Sequence, residues 1–230
     1  MSITTHRYLP QKEGGFKRQL RSYGFTNLDI SLQSIRIRLL MLSDEPMSKS
    51  TTIGNATLEL IKGDITEQVA DVFVNAANAR LAGGGGVDGA IHRKGGAAIM
   101  QETEKLYPNG CPTGSAVSTG AGNLKAKYVF HAVGPRWSGG NAGEAEQLQS
   151  AYRRCLELAI EKTCESIVFP SISTGVYAFP IEQAAEIALR TVANFLKERS
   201  PVCIKVIKFC LFSDEDFAIY CEVLDSILQS

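Results

Sequence analysis

Four consecutive glycines, Gly83–Gly86, separate an apolar segment that ends at Asn75 from a segment typical of a helix. Glycine lets the backbone approach a ligand closely and adopt positive φ angles. A helix that follows such a loop presents unpaired N–H groups and a partial positive charge, both of which favour a bound anion. The sequence therefore predicts a diphosphate site at this loop. The alternative is a flexible connector, although such connectors seldom lie between a buried strand and a helix.

The chain beyond Thr57 alternates between strand-like and helix-like segments. The strands are predicted over residues 57–62, 71–75, 115–119, 127–133, 166–170 and 204–212. The helices are predicted over residues 95–107, 144–163, 180–199 and 214–228, with a further helix after the glycine loop. This alternation predicts an α/β fold in which helices cover both faces of a sheet. Ligands in such folds bind at the carboxyl ends of the strands.

The charge balance argues against a nucleic-acid-binding surface. The chain has 24 Lys and Arg residues against 24 Asp and Glu residues, so its formal net charge is zero. No strong positive field is therefore available to attract nucleic acid. An anionic ligand would have to be bound by backbone donors, as the glycine loop predicts.

The remaining composition indicates a cytoplasmic protein without a metal or cofactor. The six cysteines have no C-x-x-C spacing, which favours free thiols in a reducing compartment over a zinc site. Neither a membrane-spanning segment nor a signal peptide is evident. We expect a monomer in the cytoplasm.

Residues 1–50 differ from the rest of the chain. They contain eight Lys and Arg against four Asp and Glu, and no motif that carries chemistry. We expect a poorly ordered or peripheral extension, followed by a main domain over residues 51–230. Residues 43–52, with Pro46 and several Ser and Thr, are predicted to be a linker.

A second loop, Ser171–Pro180, also follows a predicted strand and precedes a helix. It offers hydroxyl groups, Gly175 and several backbone amides, with Tyr177 and Phe179 as candidate walls. Alone it could be an ordinary strand-to-helix turn. Together with the glycine loop it could enclose a diphosphate from two sides.

Five motifs together resemble the macrodomain family, and most closely its MacroD-type hydrolytic branch. They are Gly63-Asp64-Ile65, the stretch from Val74 to His92, Gly120–Leu124, His131–Pro135 and Ser173–Pro180. The likeness extends over roughly residues 54–230. It implies a three-layer α/β/α macrodomain with a mixed central sheet.

The resemblance also implies an adenine site. Asp64 matches the carboxylate that accepts a hydrogen bond from the adenine amino group, and Ile65 would add a backbone contact. Phe212 falls at the position whose ring stacks on adenine. The alternative for Phe212 is a core aromatic at the end of a strand.

The same comparison implies a site for the diphosphate and the distal ribose. Asn78 and Asp88 match the residues beside the distal ribose and are the predicted catalytic pair. The predicted diphosphate contacts are Gly85, Gly86, Val87, Ser173, Thr174, Gly175, Val176 and Tyr177. Gly89 would permit a close approach of the helix start.

Three further positions are interpreted from their places in the sequence. His92 lies four residues after Asp88, so it could orient that carboxylate, although a structural hydrogen bond is the commoner role. His131, inside a predicted strand, is expected to be structural. Ala178 stands where many relatives have glycine, and we expect that this position does not require a positive φ.

The implied function is binding of ADP-ribose and hydrolysis of its acyl esters. The substrates would be O-acetyl-ADP-ribose and mono-ADP-ribosylated proteins modified on Asp or Glu. One alternative is a reader module that binds ADP-ribose without cleaving it, since a fold alone does not determine activity. A nucleotide- or RNA-binding module is disfavoured because the sequence lacks a basic stripe, so nucleic acid is expected only as a modified substrate.

Overall fold

The apolar segment that precedes the glycine loop forms an interior strand of the sheet, with a parallel strand on each side. The computed structural model describes residues 47–199 and 203–229, so the predicted extension up to residue 46 lies outside the described residues. Within these ranges the strands are β1 (Ser48–Ile53), β2 (Ala56–Lys62), β3 (Val72–Ala76), β4 (Ser115–Gly120), β5 (Tyr128–Val133), β6 (Ser166–Phe169) and β7 (Val206–Leu211).

These strands form one mixed sheet in the order β1-β2-β7-β6-β3-β5-β4. The edge strands β1 and β4 run antiparallel to their neighbours β2 and β5, and every other pairing is parallel. The carboxyl ends of β2, β3, β5, β6 and β7 therefore meet at one edge of the sheet. Both predicted ligand loops leave from that edge, after the neighbouring strands β3 and β6.

Helices cover both faces of the sheet. In the described residues they are α1 (Gly86–Gly95), α2 (Ala97–Leu106), α3 (Glu144–Glu161), α4 (Ile181–Glu198) and α5 (Asp214–Gln229), with a 3₁₀ turn at Ile65–Glu67. Helices α1 and α2 pack on one face, and α3, α4 and α5 pack together on the other. The predicted three-layer α/β/α fold with a mixed sheet is confirmed. None of the helices in these ranges is long and apolar enough to cross a membrane.

Alternating residues of the strands supply the two cores. Phe73 and Val129 point toward α1 and α2, where they pack with Ile91 and Ile99. The opposite face carries aromatic contacts among Tyr152, Phe169, Phe209 and Tyr220, with ring centroids 5.3–6.1 Å apart. Because strand side chains alternate between faces, buried strands of a three-layer fold are apolar at nearly every position. A polar residue inside such a strand is therefore informative.

The prediction of a linker over residues 43–52 is wrong from Ser48 onward. This segment forms β1, paired with β2 in register from Ser48 opposite Ile61 to Ile53 opposite Ala56. Its residues alternate between exposed and half-buried because it is an edge strand, and Lys49 forms an ion pair with Asp225. Ser and Thr on the exposed side made a strand look like a linker.

Candidate functional site

The glycine loop opens directly onto the N-terminus of α1. Gly85 is the residue before the first turn, and no side chain caps the helix there. Gly86 has a φ of 58°, which favours glycine. A Cβ atom built on Gly85 or Gly86 would meet nothing within 4 Å. The first amides of the helix therefore face open space that could hold an anion.

The loop is held against α1 by a close backbone contact. A Cβ atom on Gly89 would lie 2.6 Å from the carbonyl oxygen of Gly84, so only glycine fits there. This agrees with the expected close approach at Gly89. Gly84 in turn lies over the carboxylate of Asp88, because its Cβ position would be 3.1 Å from Asp88 Oδ2.

Asp88 is 5% exposed and its two oxygens have different surroundings. Oδ1 accepts a hydrogen bond from Asn75 Nδ2 at 2.6 Å and lies 3.2 Å from His92 Nε2. Oδ2 is the oxygen beside the glycine loop. The inferred shared helix face of Asp88 and His92 is confirmed, and the histidine contacts the carboxylate directly.

Asn75 contacts the candidate site, although the sequence assigned it no role. It is fully buried at the end of β3, where it contacts both Asp88 and His131. The sequence could have indicated this residue, because Asn75 is a polar side chain directly after the apolar run Val72–Val74, inside the predicted strand. His131 itself lies inside β5, as expected of a structural histidine, and burial lowers its pKa to about 4. The ring is therefore neutral near pH 7.

Asn78 braces the approach to the glycine loop. Its Nδ2 donates to the carbonyl of Gly83 at 2.8 Å, and its Oδ1 accepts from the backbone N–H of Arg80 at 3.1 Å. These bonds shape the segment between β3 and the four glycines. The second amide hydrogen of Asn78 has no partner among these bonds and could reach a ligand. The contact of Asn78 with the ribose stays a prediction.

The second loop is held by its own backbone. Phe179 N donates to Ser173 O at 3.0 Å, and Ala178 N donates to Gly175 O at 2.8 Å. Thr174 Oγ1 donates to the Ser171 carbonyl. Gly175 has open space at its Cβ position, and Val176 at the tip is 87% exposed. The second loop therefore exposes its backbone at Gly175 and the apolar side chain of Val176 to the solvent.

The expectation about Ala178 is wrong. Its φ is 54°, in the left-handed region that favours glycine. The hydrogen bond from its N–H to Gly175 closes the turn in this conformation. Ser173 also has a positive φ, 70°, and its buried Oγ lies where a side chain on Gly134 would have to fit.

The segment after β5 braces the second loop, which sequence reasoning did not anticipate. Trp137 N donates to Tyr177 O at 2.9 Å, and the Arg136 guanidinium lies 4.6 Å from the centroid of the Tyr177 ring. Phe179 packs against Trp137 with ring centroids 4.7 Å apart and is buried. Phe179 therefore anchors the loop from inside and is not a wall of the site, whereas the half-buried Tyr177 remains a candidate wall.

The predicted adenine residues lie together at the ends of β2 and β7. Gly63 N donates to Leu211 O at 2.9 Å, which brings Asp64 beside Phe212 along the two strands. Phe212 is 80% exposed, so the core alternative for this ring is wrong. Asp64 Oδ1 accepts from the N–H and hydroxyl of Thr66, each at 2.8 Å, which leaves Oδ2 for an amine.

Two surface grooves lie elsewhere on the described residues. One of about 390 Å³ lies between α3 and α4, and one of about 400 Å³ lies between β4 and α3. Neither is lined by a predicted site residue. The candidate site is instead the open surface around the glycine loop, defined by the uncapped helix, the glycine-lined loop and the buried carboxylate.

A mixed sheet with an uncapped, glycine-lined helix N-terminus at its edge defines an α/β protein able to bind an anionic ligand. The sequence profile described as Macro domain matches residues 74–188. A macro domain-containing protein of Caldanaerobacter subterraneus subsp. tengcongensis is 55% identical over 172 residues, which are 74% of this chain and 97% of that protein. The chain therefore belongs to the macro domain family, which confirms the resemblance.

Other relatives have more specific names. An O-acetyl-ADP-ribose deacetylase of Klebsiella pneumoniae is 51% identical over 170 residues, which cover 73% of this chain and 96% of that protein. The Oceanobacillus iheyensis macrodomain solved with ADP has a TM-score of 0.76 and 41% identity, over 81% of this chain and 99% of that one. The Trypanosoma brucei macrodomain solved with ADP-ribose has a TM-score of 0.68 and 37% identity, over 73% and 68%.

Proposed function

We propose that this protein binds ADP-ribose and hydrolyses acyl esters of its distal ribose. The observation that carries the proposal is the buried Asp88 carboxylate beneath the glycine loop, at the uncapped N-terminus of α1. A site that only bound a diphosphate would have no need of a negative charge next to it. The carboxylate instead suits a reaction in which water must be oriented beside the phosphates.

The ligand would lie along the carboxyl edge of the sheet. Adenine would stack on Phe212 with its amino group on Asp64, and the diphosphate would lie at the start of α1. The distal ribose would then reach Asp88 and Asn78. Relatives solved with ADP and with ADP-ribose support this ligand class.

In the proposed reaction, Asp88 and a phosphate oxygen of the substrate hold a water molecule beside the ester. The water oxygen attacks the acyl carbon, and the bond from that carbon to the ribose oxygen breaks. One proton of the water passes to the ribose oxygen, and the carboxylic acid product releases the other. The amides of the loops and the side chain of Asn78 would fix the ribose at attack distance.

The substrates we propose are O-acetyl-ADP-ribose and proteins that carry mono-ADP-ribose on Asp or Glu. Both contain the same ester between a carboxyl group and the distal ribose. The name of the Klebsiella pneumoniae relative supports the first substrate. The tip of the second loop is exposed at Val176, which is compatible with the larger second substrate.

The test is the release of acetate from O-acetyl-ADP-ribose and of ADP-ribose from a glutamate-modified protein, with ADP-ribose affinity measured by calorimetry. Wild type should turn over both substrates. Asp88→Ala should lose on the order of a hundredfold in kcat while its dissociation constant for ADP-ribose changes little. Glu146→Ala, which removes an exposed first-turn carboxylate from α3, is the matched control and should behave as wild type.

Two results would contradict the proposal. If wild type binds ADP-ribose and cleaves neither ester, the protein is a reader module. If Asp88→Ala keeps full turnover, the carboxylate has no role in the reaction.

A further inference from the structure

A row of buried polar side chains continues behind Asp88 into the sheet. Asn75, Thr119 and His131 are each at most 1% exposed, on three neighbouring strands. Asn75 lies opposite His131 between β3 and β5. Thr119 is two residues along β4 from the partner of His131, and so lies on the same face. Such positions in a three-layer fold are ordinarily apolar.

The donors and acceptors of this row can be assigned consistently. Thr119 Oγ1 donates its hydrogen to the Gly120 carbonyl at 3.0 Å, so its oxygen acts as an acceptor for His131. His131 Nε2 lies 2.9 Å from that oxygen, so we assign the ring hydrogen to Nε2. The neutral ring then has a bare Nδ1, which accepts from Asn75 Nδ2 at 3.2 Å.

The amide of Asn75 is fixed by its two acceptors. One hydrogen of Nδ2 goes to His131 Nδ1 and the other to Asp88 Oδ1. The Asn75 oxygen is buried without a partner. Turning the amide over would place the Asn75 oxygen 2.6 Å from Asp88 Oδ1, where two acceptors repel each other, so the nitrogen must face the carboxylate. The side-chain oxygen of Asn75 thus accepts no hydrogen bond, whereas its nitrogen donates one to Asp88.

We propose that Thr119, His131 and Asn75 form a positioning relay for Asp88. In this relay Oδ1 of the carboxylate accepts a hydrogen bond from Asn75. Oδ2, beside Gly84, is then the oxygen that orients water. His92 also approaches Oδ1, at 3.2 Å. This inference rests on the proposed function, since it identifies which oxygen of Asp88 acts.

The relay can be tested in the wild-type protein without measuring activity. Long-range ¹H–¹⁵N spectra distinguish a ring nitrogen that carries hydrogen from a bare one. We expect His131 to show hydrogen on Nε2 and a bare Nδ1 near neutral pH, with a scalar coupling across the bond from Asn75 Nδ2. A ring with hydrogen on Nδ1 would overturn the proposal, because Asn75 could then not donate to it.

The use of the relay in catalysis is tested by a double-mutant cycle. Asn75→Ala should lower kcat by about ten- to a hundredfold, because a small misplacement of a reacting group costs this much. The dissociation constant for ADP-ribose should stay near that of wild type. In the Asp88→Ala background the same substitution should change the residual rate by no more than about twofold, because nothing is left to position. An equal loss in both backgrounds would show a merely structural role.

Two further comparisons separate positioning from packing. His131→Asn can keep an acceptor near the place of Nδ1 and should retain more kcat than His131→Leu, which removes it. Ser118→Ala removes a neighbouring buried hydroxyl on β4 that has no hydrogen bond to the relay and lies on the opposite face of the sheet from Thr119, so it should leave kcat unchanged. Equal kcat values for the two His131 variants would overturn the relay.

Failure of the proposed function is distinguishable from failure of the relay. If wild type cleaves neither ester, the proposed function and the catalytic use of the relay both fall, whatever the ring-nitrogen spectrum shows. If wild type is active but the spectrum or the cycle disagrees, the hydrolase stands and the relay alone is wrong.

Discussion

Ala178 is a residue whose backbone conformation conflicts with its side chain. A φ of 54° crowds Cβ against the following carbonyl, at a cost of about 1–2 kcal/mol relative to glycine. We therefore predict that Ala178→Gly raises the free energy of unfolding by about 1 kcal/mol, less what glycine adds to the entropy of the unfolded chain. Urea denaturation of the two proteins measures this difference.

The control is an alanine with ordinary helical geometry. Ala145 is exposed in the first turn of α3, so Ala145→Gly should lower the free energy of unfolding by up to about 1 kcal/mol. Opposite signs at the two positions would identify the backbone angle as the cause. A loss of stability in Ala178→Gly would show that the turn tolerates alanine without strain.

Phe212 tests the adenine side of the proposed ligand. Its ring is 80% exposed, so Phe212→Ala should leave the free energy of unfolding almost unchanged. Loss of stacking should weaken ADP-ribose binding by about 1–3 kcal/mol. Calorimetry with ADP-ribose measures the effect, and Leu228→Ala, at an exposed apolar position on α5, is the control. An unchanged affinity of Phe212→Ala for ADP-ribose would mean that the adenine base binds elsewhere.

At the scale of elements, the glycine loop and α1 act as one unit in which each glycine has a separate role. Gly85 has an ordinary φ of −95° and open space at Cβ, whereas Gly89 packs against the Gly84 carbonyl. We predict that Gly85→Ala costs at most about 1 kcal/mol of unfolding free energy, as an N-cap change, yet weakens ADP-ribose binding at least about tenfold by occupying the anion site.

Gly89→Ala should show the opposite pattern, with its main effect on the free energy of unfolding. Its Cβ would lie 2.6 Å from a backbone oxygen, so the loop must move and the protein should lose about 1–3 kcal/mol of stability. Thermal unfolding and calorimetry on both variants separate the two roles. Equal stability of Gly89→Ala and wild type would mean that the loop is not held by this contact.

For the whole molecule, the sequence predicted what depends on local pattern. Apolar runs gave β3 and β5, and helical spacing gave α3 and α4, because these elements bury continuous faces. β1 was not predicted, because an edge strand is half-exposed and its Ser and Thr residues are equally typical of a linker.

The site was predictable only where neighbouring residues carry it. The glycine loop and Asp88 lie in one stretch of sequence, and so their proximity could be inferred. Asn75 and His131 are 56 positions apart, and only the pairing of β3 with β5 brings their side chains together. Strain at Ala178 likewise depends on a turn that no pattern of residue types specifies.

The whole molecule should also respond to acid through one buried carboxylate. Glu144, 2% exposed at the start of α3, accepts hydrogen bonds from the Ser138 hydroxyl and from the backbone N–H groups of Ser138, Gly140 and Ala142. These bonds, led by that from the Ser138 side chain, lower the pKa of Glu144 to about 2 from an ordinary value of 4.5. The loop they hold continues from Trp137, which braces the second ligand loop.

A carboxylate whose pKa is lower in the folded state stabilises that state fully above its unfolded pKa. As the pH falls below 4.5 the unfolded chain takes up the proton first, and the contribution is lost by about pH 2. Glu144→Gln should therefore be less stable than wild type at pH 7, and the gap should narrow through this window. Chemical denaturation at a series of pH values measures it, with the exposed Glu146→Gln as the control. A gap that stays constant down to pH 2 would mean that the charge of Glu144 contributes nothing to stability.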